Sequence, residues 1–356
     1  MVTFKFVLSL AFSLYSLTSF SQHKVTFIID KLPVYHKSTE PIFLVGSFNK
    51  WKTSDSALLL KKIHPNKVGI AIELKAGMSE YKFTRGDWDK VETNENGGHI
   101  ENRVINVERD TTVHIKIDHW ADHFPKKEKQ TTANSNVQIL DTAFFIPQLN
   151  RSRRIWIYLP DSYCNTKKFY PVLYMQDGQN VFDEASSFSG EWGVDETLNA
   201  MRNEVGELIV VAIDNGGERR INEYSPFDME EHGKGEGDAY VNFLVQILIP
   251  YINKHYRTKR SNKNTFIAGS SMGGLISLYA ILKYPNKFGA AGVFSPALWI
   301  APQINEYAAS RASKVNGRIY FFAGQQESES MVPDMLAIFN VLNEKSKADM
   351  KTVIRA

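Results

Sequence analysis

The pentapeptide Gly269-Ser270-Ser271-Met272-Gly273, backed by Gly274, stands between the apolar run Thr265-Phe266-Ile267-Ala268 and the helix-like run from Leu275 to Leu282. A strand, a tight turn and a helix in that order leave the chain little freedom. A G-x-S-x-G turn drives its serine into a strained, exposed conformation between sheet and helix, and its glycines let neighbouring backbone approach where a Cβ would clash. Ser271 is therefore a candidate nucleophile. The helix that starts just after it aims free N–H groups and its positive dipole end at the place where an acyl carbonyl would gain negative charge. Small-residue turns also serve plain strand–helix packing, so it is the setting that gives this one chemical meaning.

The residues around the turn predict the sheet it belongs to. Strand-like runs at Arg154–Leu159, Pro171–Tyr174, Leu208–Ile213, Phe266–Ala268, Ala290–Phe294 and Arg318–Phe322 alternate with helical stretches such as Asp238–Tyr256. That alternation predicts a mostly parallel sheet with helices on both faces. The first third reads differently. Short alternating runs at Val25–Ile29, Ile42–Val45, Gly69–Leu74, Glu80–Thr84 and Thr112–Ile117, with turn residues between them, predict an all-β sandwich. Between the two, Pro125 and the aperiodic polar run Lys126–Asn136 read as a flexible linker. The expected division is a signal peptide over 1–21, a sandwich over 22–120, a linker over 121–136 and an α/β domain over 137–356.

The 356 residues carry a formal charge of +3, with basic and acidic side chains interleaved, so no basic stripe for nucleic acid is present. Lys5, the apolar stretch Phe6–Leu17 and the small-x-small site Ser19-Phe20-Ser21 predict a secretory signal cleaved before Gln22. The stretch is too short for a membrane span, and no cysteine follows it to take a lipid. The single cysteine, Cys164, excludes an internal disulfide. Together these predict a secreted or periplasmic bacterial protein with no integral membrane segment once the signal is removed.

Four separated motifs, Tyr174–Asp183, Trp192-Gly193-Val194-Asp195, Gly269–Gly274 and Phe294–Trp299, resemble the esterase family of α/β-hydrolases that includes feruloyl esterases, siderophore esterases and mycolyltransferases. The resemblance spans about 137–356 and implies the α/β-hydrolase fold. It implies two oxyanion donors, the main-chain N–H of Met272 and that of Gln179 after the Asp177-Gly178 turn. By the family's Gly-x-x-Glu pattern it implies Glu327 as the acid, with Glu329 the weaker candidate. A plain β-turn at Asp177-Gly178 and two surface glutamates at a helix start are the alternatives.

The same fold orders its triad serine, acid, histidine. All nine histidines precede Ser271, and the final residues 350–356 read as the start of a last strand. The expectation is therefore a C-terminally incomplete hydrolase that stops short of its histidine loop and is nearly inactive as written, because an unassisted serine hydroxyl is a poor nucleophile. A catalytically lapsed hydrolase domain is the alternative reading, and His232 in its glycine-rich segment a remote substitute base.

The N-terminal third resembles starch- and glycogen-binding sandwich modules through Val45–Trp51 and Glu80–Trp88. The resemblance implies that Trp51 stacks on a sugar and that Lys82 hydrogen-bonds its hydroxyls. Where the module's second platform tryptophan is expected the chain reads Val91-Glu92-Thr93, and Trp88 is the nearest substitute. Packing of Trp51 and Trp88 within the protein is the alternative. Trp192 and Trp299 flank the expected active-site edge and are candidates for an aromatic wall around the substrate. His119 and His123 have a metal-compatible spacing but no third ligand is evident, so the pair reads as a solvated junction, and the esterase readings need neither a metal nor a cofactor. The combined expectation is an exported serine ester hydrolase acting on acetylated or feruloylated carbohydrate. A siderophore esterase and a non-catalytic glycan-binding protein are the alternatives.

Overall fold

The computed structural model describes residues 21–64, 67–125, 129–188 and 190–355. The expected signal peptide lies outside the described residues apart from Ser21. The chain divides into two units, residues 1–127 and 128–356.

In the first unit the expected alternation produces strands β1 (Gln22–Lys31), β2 (Phe43–Gly46), β3 (Lys61–His64), β4 (Lys67–Lys75), β5 (Gly77–Thr84), β6 (Glu92–Thr93), β7 (Arg103–Val107), β8 (Thr111–Lys116) and β9 (His119–Trp120). They form sheets ordered β3-β4-β1-β8, β2-β5-β7 and β6-β9. Along β1 every second side chain, Val25, Phe27 and Ile29, is buried, the period-2 pattern that turns one face inward. Phe27 meets Tyr81 edge-on at 4.9 Å between ring centroids, so the four- and three-stranded sheets share one core. Full burial of a side chain of this kind contributes about 1.5–3 kcal/mol.

Much of the segment expected to be a linker is instead tied down. On the first unit, Ala121 N–H donates to the Val91 carbonyl at 2.9 Å, Asp122 pairs with Arg85, and the His123 ring stacks on Tyr35 at 3.6 Å. On the second, the Thr132 and Asn134 N–H groups donate to Asp183 (3.1 Å) and Asp195 (3.0 Å), and Asn136 reaches the Leu159 carbonyl at 2.9 Å.

The second unit is built on an eight-stranded sheet of β10 (Val137–Ile146), β11 (Arg151–Tyr158), β12 (Val172–Gln176), β13 (Ile209–Ile213), β14 (Thr265–Ser270), β15 (Ala290–Phe294), β16 (Arg318–Gly324) and β17 (Asp349–Arg355), in the order β10-β11-β13-β12-β14-β15-β16-β17. The pairs β10–β11 and β11–β13 are antiparallel, and every pair from β13 to β17 is parallel. All five residues of β13 are fully buried, as a strand covered on both faces requires. Among the described residues eight α-helices accompany the sheet: α1 (Ser162–Asn165), α2 (Val194–Val205), α3 (Arg220–Tyr224), α4 (Gly237–Phe243), α5 (Ile249–His255), α6 (Met272–Lys283), α7 (Ile304–Arg311) and α8 (Met331–Lys345). One face of the sheet packs Ile155, Ile157, Tyr174 and Ile267 against α4 and α6; the other packs Trp156, Tyr158 and Met175 with Val194 and Leu198 of α2. The helix expected over Asp238–Tyr256 is interrupted by a π-helical turn at Leu244–Leu248, just before Pro250, whose missing N–H cannot continue an α-helical ladder.

Candidate active site

Three parallel strands end in non-glycine residues with left-handed backbone: Asp177 (φ 57°) after β12, Ser271 (φ 57°) after β14 and Ser295 (φ 40°) after β15. Each such conformation costs of the order of 1–3 kcal/mol and persists only where its surroundings hold it. All three lie at the carboxyl edge of the sheet, where open α/β folds place their ligands.

Ser271 is held from both sides. Its N–H donates to the Phe294 carbonyl at 3.0 Å, and its own carbonyl accepts from Leu275 and Ala297 N–H, each at 3.1 Å. With φ 57° and ψ −121° it caps β14 and opens α6. The flanking glycines are required by contact: a Cβ on Gly269 would lie 2.6 Å from the Gly273 carbonyl group, and one on Gly274 would lie 2.8 Å from the Phe294 oxygen. Ser271 lines a cavity of about 160 Å³ together with Asp177, Asn180, Trp192 and Arg220.

The turn after β12 supplies the opposite wall. Asp177 accepts from Arg220 Nε at 2.6 Å and Nη2 at 2.8 Å, and from Asn215 Nδ2 at 2.7 Å. Its N–H donates to the Tyr224 hydroxyl at 3.2 Å. Gln179 sits inside this turn, with its Oε1 accepting from Asn215 N–H at 3.2 Å and its carbonyl from Ser186 Oγ at 2.7 Å. Among the described residues, the main-chain N–H groups of Gln179 and Met272 have no hydrogen-bond partner. Arg220 and Asn215 had no motif to reveal them in the sequence; the available signal was the Asn-Gly-Gly turn that follows β13 at this same sheet edge.

Glu327 stands on the loop after β16. Its Oε1 accepts from Gly324 N–H at 2.8 Å and from the Ser295 hydroxyl at 2.7 Å, which joins the loop to the strained end of β15. Trp192 is 42% exposed, borders the Ser271 cavity and meets Phe294 edge-on at 5.4 Å. Trp299 is placed elsewhere. It lines a separate cavity of about 510 Å³ together with Asp228, His232 and Gln303, so the two tryptophans do not form one wall.

In the first unit the structure brings Trp51 and Trp88 together, their ring centroids 6.2 Å apart. Lys82 departs from expectation: it is 4% exposed, and its ammonium donates to the Ile100 carbonyl at 2.6 Å. Burial pulls its pKa below the usual lysine value, against the raising influence of Glu92 and Glu101. The last four residues of β5, Tyr81 to Thr84, are all buried, which leaves this side chain nowhere to meet a surface ligand. His119 and His123 stack alongside Tyr35, and no group of three potential metal ligands occurs among the described residues.

A mostly parallel sheet with helices on both faces and a strained serine turn at its carboxyl edge defines the α/β-hydrolase class. The Esterase family, described as "Putative esterase", matches residues 146–356, more than half of the chain, and the chain belongs to it. The chain is 29% identical over 182 residues to the uncharacterized protein YbbA of Bacillus subtilis, covering 49% of this chain and 69% of that one. It is 26% identical over 210 residues to an endo-1,4-beta-xylanase/feruloyl esterase of Xylanibacter ruminicola, covering 55% of this chain and 25% of that one. In structure it resembles an IroE-like serine hydrolase from Shewanella oneidensis with a TM-score of 0.52 at 18% identity, over 64% of this chain and 74% of that one.

Proposed function

We propose that this chain is an exported serine ester hydrolase acting on acylated carbohydrate, an acetyl or feruloyl ester. The observation that carries the reading is Ser271 itself, strained between β14 and α6 and facing a cavity walled by the Asp177–Asn180 turn. In this scheme Ser271 Oγ attacks the acyl carbonyl, and the Met272 and Gln179 amides stabilise the oxyanion. The alcohol leaves, and water then releases the acid from the acyl-enzyme. Similarity to a xylanase/feruloyl esterase supports the carbohydrate-ester reading.

The serine proton needs an acceptor. Seven of the nine histidines lie at or before His123, in the first unit, and among the described residues none hydrogen-bonds Ser271. His232 lines the separate Trp299 cavity, and His255 Nδ1 lies 2.8 Å from the Tyr251 carbonyl. Turnover by these 356 residues is therefore slow. The test measures acetate and ferulate release from acylated xylan beside hydrolysis of an enterobactin-type triester. The expected result is a small xylan-ester activity that vanishes in Ser271→Ala; faster triester hydrolysis would favour the siderophore alternative, and a rate unchanged in Ser271→Ala would refute the serine mechanism.

A second reading concerns the first unit, which we infer to be an immunoglobulin-like glycan-binding sandwich. The adjacent Trp51 and Trp88 rings, the latter 46% exposed, are the supporting observation, since sugar C–H groups pack on aromatic faces. Retention of the full chain on insoluble polysaccharide should fall in Trp51→Ala, and unchanged retention would assign the pair to packing. Export rests on the residues before Gln22, and a mature N-terminus at Gln22 would support it. No helix among the described residues is long and apolar enough to cross a membrane.

A further inference from the structure

We propose that the cavity at Trp299 is a subsite for a neutral sugar, the alcohol side of the ester, separate from the small cavity at Ser271; the assignment rests on the esterase reading above. The two cavities are framed by the same segments. The stretch after β15 leaves the Ser271 wall at Ala297, whose N–H holds the Ser271 carbonyl, and reaches Trp299 two residues later. The stretch after α3, the helix that carries Arg220 to Asp177, supplies Asp228, Glu230, Glu231 and His232. Reciprocal main-chain bonds between Met229 and Gly233 (2.8 and 2.9 Å) fix that acidic turn, and Gln303 Nε2 ties the two segments by donating to the Asp228 carbonyl at 3.2 Å.

The chemistry of the lining selects the ligand. Trp299, 49% exposed, offers an aromatic face to sugar C–H groups. The carboxylates around it accept hydroxyl protons in charge-assisted bonds, and Gln303 and His232 add groups that both donate and accept. The Asp228 and Glu230 carboxylates disfavour an anionic ligand such as a uronate or a ferric catecholate. A cation cage would surround its guest with several aromatic faces, and this cavity is lined by one. The volumes agree with a division of labour, about 160 Å³ at Ser271 for a short acyl group and about 510 Å³ at Trp299 for the ring it is attached to.

The experiment is calorimetric titration of the full chain with neutral xylo-oligosaccharide, in a Trp51→Ala/Trp88→Ala background that silences the first unit. Adding Trp299→Ala should weaken binding about tenfold, the effect of losing one aromatic contact. The exposed Gln303→Ala serves as a second variant, with circular dichroism to verify folding. A glucuronate-bearing oligosaccharide should bind more weakly than the neutral one and recover with Asp228→Asn/Glu230→Gln. Equal binding with and without Trp299 and Gln303 would overturn the proposal, as would tighter binding of choline or spermidine than of the neutral sugar. Ser271→Ala should leave this binding unchanged, so hydrolysis that survives Ser271→Ala sinks the esterase reading and not the sugar site, whereas lost sugar binding with intact Ser271-dependent hydrolysis sinks the sugar site alone.

Discussion

Asp177 and Arg220 form a two-point pair, Nε to Oδ1 at 2.6 Å and Nη2 to Oδ2 at 2.8 Å, that clamps the left-handed residue at the end of β12. The next peptide units carry the Gln179 amide, so its direction follows from this clamp. Arg220 is thus a positioning residue. Arg220→Ala should lower Ser271-dependent kcat by tenfold or more, roughly the value of one oxyanion donor misaligned, with KM little changed. Arg220→Lys should restore only part, because an ammonium cannot reproduce the planar fork. A KM effect without a kcat effect would contradict this role.

Gly274→Ala tests the packing of the elbow. The new Cβ would meet the Phe294 oxygen at 2.8 Å and Pro296 Cα at 3.2 Å, both backbone atoms that cannot rotate away. A cost of about 1–3 kcal/mol is expected, read as a fall in Tm of several degrees for the second unit. An unchanged Tm would show that the β15 turn yields freely.

The elbow was legible because its requirements are local: three glycines, one serine, a strand before and a helix after. The parallel strands were legible for the same reason, since β12 to β16 are continuous apolar runs. β10 was not, because two register shifts against β11 break its alternation. Arg220 was invisible because its partner is 43 residues away and only the sheet brings them together. The segment 129–136 misled through composition: its polar residues dock by side chains such as Asn136 and by the main-chain N–H groups of Thr132 and Asn134, and none of their partners lies near in sequence. Lys82 misled through motif resemblance, since the pattern specified the residue but not the burial of both faces at the C-terminal half of β5.

Asp195 ties that docked segment to α2 and should make it pH-sensitive. Its side chain is fully buried, and desolvation pushes its pKa up to about 6, with the Asn134 N–H bond lowering it and Glu196 raising it. A carboxyl with a raised folded-state pKa binds more protons when folded, so its contribution is fully present below the unfolded value near 3.8 and is lost as pH rises through about 6. Asp195→Asn keeps an acceptor for Asn134 and removes the charge. The variant should match the wild type near pH 4 and exceed it at pH 7 by about 2 kcal/mol, seen as a higher Tm at neutral pH only. A variant less stable at pH 7 would mean that the ionised carboxylate is itself a favourable partner.

Glu327 and Ser271 suggest a rescue experiment that tests the proposed serine mechanism with an external base. Glu327 is oriented by Gly324 and Ser295 through Oε1 alone, in the loop position from which an acid would steer an imidazole. Free imidazole supplied in solution should therefore accept the Ser271 proton and raise hydrolysis of a small activated ester by at least about tenfold, within the range a general base contributes. Imidazole cleaves such esters unaided, so the quantity measured is the rate above that of Ser271→Ala at each concentration. Rescue should follow the neutral form of imidazole, rising with pH through its pKa. In Glu327→Gln the rescued rate at saturating imidazole should be lower, because a neutral amide cannot stabilise the imidazolium that forms. Rescue of equal size in Ser271→Ala would show that the serine takes no part, and a maximal rescued rate unaltered in Glu327→Gln would remove the carboxylate from the site.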